Sequence, residues 1–317
     1  MRKATLLYNA RSGGRRKQRE QDLLAALKIL NEAGVEVSLT RTQSSLDAAE
    51  QARNAIRAGA DTVFACGGDG TVHDVLQGLA GSGVALAVIP MGTANALAHD
   101  LGLPLDPARA VRAALDGEPR RIALGQVTVR GADGSPTTRY FTVAVGVGVD
   151  AHLFYKLNAG VKERLGMAAY YHKAWHLWFT HRMSRFRVSW ETTQAEFQEG
   201  VTELLAVRIG NFGGVLRELA PGASLHKNHL RLVVCHTASR LTYLNYVTRS
   251  LLRGSWKVPG VHVTDSKVVT CEHNAGSEDG NKVYVEADGE LIGSLPAKIV
   301  IVPDALTILA PKKPPSR

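Results

Sequence analysis

Cysteine is scarce: the 317 residues hold three, Cys66, Cys235 and Cys271. They form no CxxC pair, so spacing supports neither a disulfide framework nor a cysteine metal site, and a reducing, cytoplasmic setting is expected. No apolar run approaches the roughly 18 residues of a membrane span, so any contact with a membrane is expected from outside it. Met1-Arg2-Lys3 is a weak basic start with a short apolar run behind it. It reads as a first strand, not a secretion signal. The chain also lacks an HExxH zinc pattern, a GxxxxGK[ST] phosphate loop and any internal repeat.

What is present is an ordinary globular composition, 45% apolar and 21% charged. The length suggests two domains or one large one. A formal net charge of +9 favours anionic partners, among them nucleic acid, phosphorylated substrates and anionic membrane faces. Solubility alone is the plainer reading. Part of the charge is clustered, in "RSGGRRKQR" (11–19) and in "HKAWHLWFTHRMSRFR" (172–187).

Up to about residue 120, strand and helix patterns alternate. Strands are predicted at 3–9, 35–42, 61–66 and 84–90, and helices at 20–34, 45–59, 71–81, 94–102 and 106–117. This alternation predicts a parallel sheet with helices on both faces. Beyond residue 122, short strand candidates separated by turn residues predict a mainly antiparallel domain, a β-sandwich. Two longer helical stretches, near 152–183 and 240–253, interrupt it. The implied domains are 1–122 and 123–303.

Three glycine-bearing turns lie at strand ends in the first domain: "NARSGG" (9–14), "GGDGT" (67–71) and "MGTANA" (91–96). Ligands bind beyond the carboxyl ends of strands in open α/β sheets. Glycine lets backbone N–H groups approach a phosphate, and a helix N-terminus adds donors and a favourable dipole. Asn9, Ser12, Thr71, Thr93 and Asn95 add neutral hydrogen-bonding groups. Asp69 is suited to Mg²⁺, which bridges carboxylates to phosphate oxygens. "GVGVDA" (146–151) superficially matches a dinucleotide fingerprint but lies outside a βαβ unit. "EADGE" (286–290) reads as a hairpin turn, since Asp-Gly favours such turns, and a hairpin can also present carboxylates.

At these residues the chain resembles the diacylglycerol kinase catalytic-domain family, and within it the soluble bacterial lipid kinases. The ordered set is "NARSGG", Thr42, "GGDGT", "IPMGTANALAHDLGLP", "GVGVDA", "APGASL" and "EADGE". The resemblance implies an α/β domain like that of NAD kinase and phosphofructokinase, followed by a β-rich domain, with ATP bound in the cleft between them. It implies that the last strand returns, so that 304–317 would complete the first domain. Asn9, Ala10, Arg11, Ser12, Gly13, Thr42, Gly67, Gly68, Asp69, Gly70, Thr71, Val72, His73 and Thr93 would line the nucleotide site, beside Asn95. Asp288 and Glu290 would supply the carboxylate that acts as general base on a lipid hydroxyl, with Mg²⁺ as cofactor. A lipid acceptor and a peripheral anionic membrane surface are the implied partners, and nucleic acid is not. Oligomeric state stays open.

Two stretches depart from the family pattern. Many bacterial members hold a structural Mg²⁺ with an acidic loop where this chain has "SLHKNHL" (224–230). A lysine repels a divalent cation, so that site is expected to be missing. Ala123 stands where members often carry an aspartate. These departures motivate one alternative to a lipid kinase, a catalytically idle nucleotide- or lipid-binding regulator; a second is an NAD kinase-like enzyme with a soluble acceptor, since "GGDGT" alone is shared with NAD kinases. The aromatic and basic stretch 152–187 fits a membrane interface or a packed helix with a solvated basic face. Its histidines, His152, His172, His176 and His181, read as surface or interfacial residues and not as metal ligands.

Overall fold

The computed structural model describes residues 1–9, 16–148, 184–190, 198–213, 220–237, 239–251, 258–274 and 282–312. Ala10, Arg11, Ser12 and Gly13 lie outside the described residues, as do 152–183 of the basic aromatic stretch. The chain divides into two compact units. One comprises Met1–Leu124, Asn211–Arg217 and Val302–Arg317, the other Gly125–Gly210 and Glu218–Ile301.

In the first unit, β1 (Lys3–Asn9), β3 (Thr62–Gly67) and β4 (Ala85–Pro90) are short, largely apolar runs, and every residue of β3 and β4 is buried. Such runs suit parallel strands covered on both faces. β2 (Glu36–Thr42) is more exposed and pairs only with β1 among the described strands. The order is β15-β4-β3-β1-β2, where the end of β15 (Glu290–Ala310) pairs in parallel with β4 through Thr307 and Ile308. Register places Asn9 beside Thr42, and Gly67 beside Pro90. The carboxyl ends of four strands therefore finish together.

Helices α1 (Arg16–Glu32) and α5 (Pro107–Leu115) cover one face. Leu23, Ala26, Leu30, Val111 and Ala114 share a core there with Leu6, Phe64 and Ile89. Pro107 opens α5 and the Asp106 carboxylate caps it by accepting the Arg109 N–H at 2.9 Å. Helices α2 (Ser45–Arg57) and α3 (Asp69–Leu79) pack on each other. Gly78 of α3 lies against the Ala49 and Ala52 positions of α2. The cap of α2 is Ser44, whose hydroxyl accepts the Asp47 N–H at 3.2 Å. α4 (Ala96–Leu101) is short and ends on Gly102 in the left-handed region.

The second unit is antiparallel. β14 (Tyr284–Ala287) pairs with β7 (Ala144–Gly148), which continues to β10 (Glu203–Val207), β11 (Leu230–Cys235) and β12 (Val261–Ser266). On its other side β14 pairs with the start of β15, which leads to β13 (Val268–His273), β8 (Phe186–Trp190) and β9 (Gln198–Val201). β5 (Glu118–Arg130) forms a hairpin with β6 (Pro136–Phe141). Alternate residues, including Val145, Val147, Leu204, Ala206, Leu232 and Val234, form one apolar core with Val127, Phe141, Val269 and Ile299, as period-two strands require. "GVGVDA" thus begins on the antiparallel strand β7. α6 (Arg240–Leu251) buries Tyr246, and that burial pushes its phenol up.

All three cysteines are free and buried. Burial pushes the Cys66 and Cys271 thiols far above the usual range, with Glu272 adding to the effect at Cys271. A thiol held neutral and away from solvent is a packing group, not a nucleophile.

Candidate functional site

The turn after β3 and the turn after β4 touch backbone to backbone. A Cβ on Gly68 would lie 3.1 Å from the Gly92 Cα, and one on Gly92 would collide with the Gly68 Cα. Two glycines are needed because no side chain fits between these main chains. The Met91 N–H donates to the Gly67 carbonyl at 2.8 Å, which ties the two strand ends. Asn95 then closes its own turn. Its Oδ1 accepts the Gly92 N–H at 3.0 Å and its Nδ2 donates to the Gly92 carbonyl at 2.9 Å. Asn95 holds this in the left-handed region, φ 49°, which asparagine tolerates better than most residues.

α3 begins at Asp69, two residues earlier than the sequence pattern suggests, and Gly68 caps it without a side-chain bond. A helix start with no side-chain acceptor leaves N–H groups for an anion. Asp69 Oδ1 accepts the Ala96 N–H at 2.7 Å, so this carboxylate also caps the start of α4. Thr71 is buried, its hydroxyl lying where a Gly67 Cβ would have to be. Thr42 is buried at the end of β2 beside Asn9, and its hydroxyl donates to the Tyr8 carbonyl at 3.2 Å. Thr93 is exposed and Gly70 half-buried. Val72 and His73 are buried within α3, and the Val72 N–H is spent on the Gly68 carbonyl. Neither side chain lies at the surface of the turn. Gly92 and Ala96 lie in the 91–96 turn that the sequence marks, but neither was singled out there as a site residue. The signal for Gly92 was its place between two fixed strand ends.

In the second unit, Asp288 and Gly289 form a two-residue turn between β14 and β15, with φ 49° and 87°. Two positive φ values are the signature of the turn that Asp-Gly favours in hairpins. The Asp288 carboxylate accepts the N–H groups of Thr142, Val143 and Ala144 at 3.0, 2.9 and 3.1 Å. Its own N–H donates to the Ala144 carbonyl. Asp288 therefore anchors the turn to the chain before β7. Glu290, the first residue of β15, is exposed. Ala123 is buried in β5, 3% exposed, and offers no carboxylate.

The 220–230 loop is held by cationic side chains. Arg208 is fully buried, and its guanidinium donates to the carbonyls of Leu225, Lys227 and His229 at 3.1, 2.7 and 2.6 Å. Lys227 Nζ donates to the Gly222 carbonyl at 2.8 Å, and Arg231 Nε to Pro221 at 2.7 Å. These residues do not fit a divalent cation: the carbonyls that could ligate one already receive N–H donors, and the neighbouring Asp265 carboxylate is already paired with Arg231 at 3.0 Å. The turns after β3 and β4 do fit a metal-bound phosphate. Mg²⁺ needs one or two protein carboxylates when a nucleotide supplies other oxygens, and Asp69 is there. Among the described residues no cluster of three or more His, Cys, Asp or Glu could cage a metal alone.

Residues 3–127 match the family model "Diacylglycerol kinase catalytic domain", and 143–310 match "YegS C-terminal NAD kinase beta sandwich-like domain". The chain belongs to the diacylglycerol kinase catalytic-domain family. That membership supports a kinase, a class of phosphotransferases. It is 28% identical to the diacylglycerol kinase of Bacillus subtilis (strain 168), over 99% of this chain and 98% of that protein. It is also 28% identical to the diacylglycerol kinase of Staphylococcus epidermidis (strain ATCC 12228 / FDA PCI 1200), over 98% and 92% of the two chains. A solved structure from Bacillus anthracis str. Sterne aligns with a TM-score of 0.74 at 19% identity, covering 98% of this chain and 95% of that one. A diacylglycerol kinase structure from the same organism aligns at 0.66 and 18%, covering 98% and 97%. These two likenesses establish the fold: an α/β unit with a parallel sheet and an antiparallel β-rich unit.

Proposed function

We propose that the protein transfers the γ-phosphoryl group of ATP to a lipid hydroxyl. The observation that carries this reading is the pair of interlocked turns after β3 and β4, where Gly68 and Gly92 meet and α3 begins without a side-chain cap. That arrangement suits phosphate oxygens, which take N–H donors at a helix start without needing a lysine loop. Asn9, Thr42 and Thr93 add hydroxyl and amide groups near the same strand ends, and the 10–13 segment continues from Asn9. Asp69 would hold Mg²⁺ on the nucleotide. When bound, the metal neutralises phosphate charge as the transfer proceeds.

Glu290 is the base in this reading. It takes the hydroxyl proton as the acceptor oxygen bonds to the γ-phosphorus, while the bond to the bridging oxygen breaks and ADP leaves. Asp288, with its oxygens on three backbone N–H groups, holds the turn that carries Glu290. Diacylglycerol is the first acceptor to test, because the relatives are named for it. A sphingoid base and ceramide are further candidates.

The test offers labelled ATP and Mg²⁺ to the purified protein with a panel of lipids in mixed micelles, and with NAD. Label in a lipid is the expected result, and label in NAD alone would overturn the reading. ATP binding without transfer to any acceptor would instead indicate an idle regulator. Glu290→Gln should lower kcat about 100-fold or more, the scale of general-base loss, with ATP affinity unchanged. Full activity in that variant would remove Glu290 from the role.

A further inference from the structure

The DGE turn is held from two sides, and the second support comes from Glu286, the residue that opens "EADGE" two positions before the triplet. Glu286 is 5% exposed, in the last part of β14. Its Oε2 accepts the N–H of Gly289, the residue immediately before Glu290, at 2.8 Å. Across the sheet Glu286 pairs with Gly146 of β7. A Cβ on Gly146 would come within 2.8 Å of Glu286 Oε1, so the glycine leaves the room this carboxylate occupies. The β14–β15 register shifts between Val285 and Glu286, at the residue that reaches forward to the turn.

A buried carboxylate is expensive unless it is hydrogen-bonded, and bonds to a charged acceptor are stronger than neutral ones. The arrangement is thus costly to keep for a hairpin alone, since Asp-Gly already favours this turn unaided. Asp288 fixes the turn against residues 142–144. That leaves the Gly289 peptide, which sets the direction of Glu290, to be fixed by another group. We infer that Glu286 is a positioning residue for the phosphoryl-transfer reaction: it locks the Gly289 peptide and so aims Glu290, with Gly146 as the space that permits it. The inference rests on the reading of Glu290 as base.

A misplacement of about 1 Å at a reacting group costs on the order of 100-fold in rate, so loss of this lock should appear in kcat. Glu286→Ala should lower kcat about tenfold or more, with KM for ATP and for the lipid within about twofold of the parent. Glu286→Gln keeps a side-chain oxygen for the Gly289 N–H and should recover most of kcat. Gly146→Ala, which pushes on the same carboxylate, should behave like Glu286→Ala. Hydrogen exchange at the Gly289 amide gives a readout independent of turnover, slow in the parent and in Glu286→Gln and fast in Glu286→Ala. Unchanged exchange in Glu286→Ala would overturn the inference, as would parental kcat in that variant or a loss shared equally by Glu286→Gln. If the parent transfers label to no lipid, the functional reading fails, while the exchange experiment still decides the contact.

Discussion

A methyl group added at Gly92 would meet the Gly68 Cα, which is main chain and cannot swing away. The two turns would have to part. Overpacking of this kind costs about 1–3 kcal/mol, so Gly92→Ala should lower Tm by about 5 °C. It should also weaken ATP binding, because the displaced turn carries the N–H groups proposed to face phosphate. Calorimetry with and without nucleotide separates the two effects, and an unchanged nucleotide affinity would show that the contact shapes the fold alone. Asp69 shows how one residue serves two ends. It leads α3 and accepts the N–H that starts α4, so the acid proposed for the metal is already oriented by a backbone bond. "GGDGT" made Asp69 visible in sequence. Its partner Ala96 was not, because twenty-seven residues of chain separate them and only the parallel register of β3 and β4 brings them together.

At the scale of an element, the 220–230 loop shows a charge built into the chain. Lys227 was legible as an obstacle to a divalent cation. Arg208 was not legible at all, for it sits at the end of an apolar strand pattern, and what it does depends on the loop that folds over it. Removing the guanidinium would leave the Leu225, Lys227 and His229 carbonyls without those donors. An unsatisfied buried acceptor costs about 1–3 kcal/mol, so Arg208→Met should lower Tm by roughly 5 °C or more. EDTA should leave the Tm of the parent protein unchanged, since the loop's positive charge is covalent. A chelator-induced drop in the melting temperature would show that a metal ion also supports the loop. The DGE hairpin is the opposite case. Asp-Gly announced the turn, but not how differently its two carboxylates are held. Their surroundings separate them, one bound to three N–H groups and the other exposed.

For the whole molecule, the formal net charge of +9 bears on how the proposed lipid acceptor would be reached. No described helix is long and apolar enough to cross one. Attraction of basic residues to anionic lipid is worth about 1 kcal/mol for each near the surface and fades over a Debye length. The protein should therefore sediment with phosphatidylserine-containing vesicles at low salt, release them as NaCl approaches 0.5 M on the order of that screening, and ignore vesicles of phosphatidylcholine. Equal binding to both vesicle types would show that charge does not drive the association.

The alternation of apolar runs and helical patterns, read without any structure, sufficed for the parallel α/β unit and the antiparallel unit, because periodicity follows directly from which face is buried. Glycines and Asp-Gly marked the turns for the same local reason. What the tertiary structure decided is whatever depends on residues far apart in the chain: the Gly68–Gly92 contact, the return of Asn211 to bond Asp100 and His99, the cage around Arg208, and the grip of Glu286 on Gly289 opposite Gly146. Local sequence specifies dihedral preference and hydrophobic face. Which distant main chains will meet, and so which glycine is obligatory and which carboxylate is held, is set only when strand register is fixed.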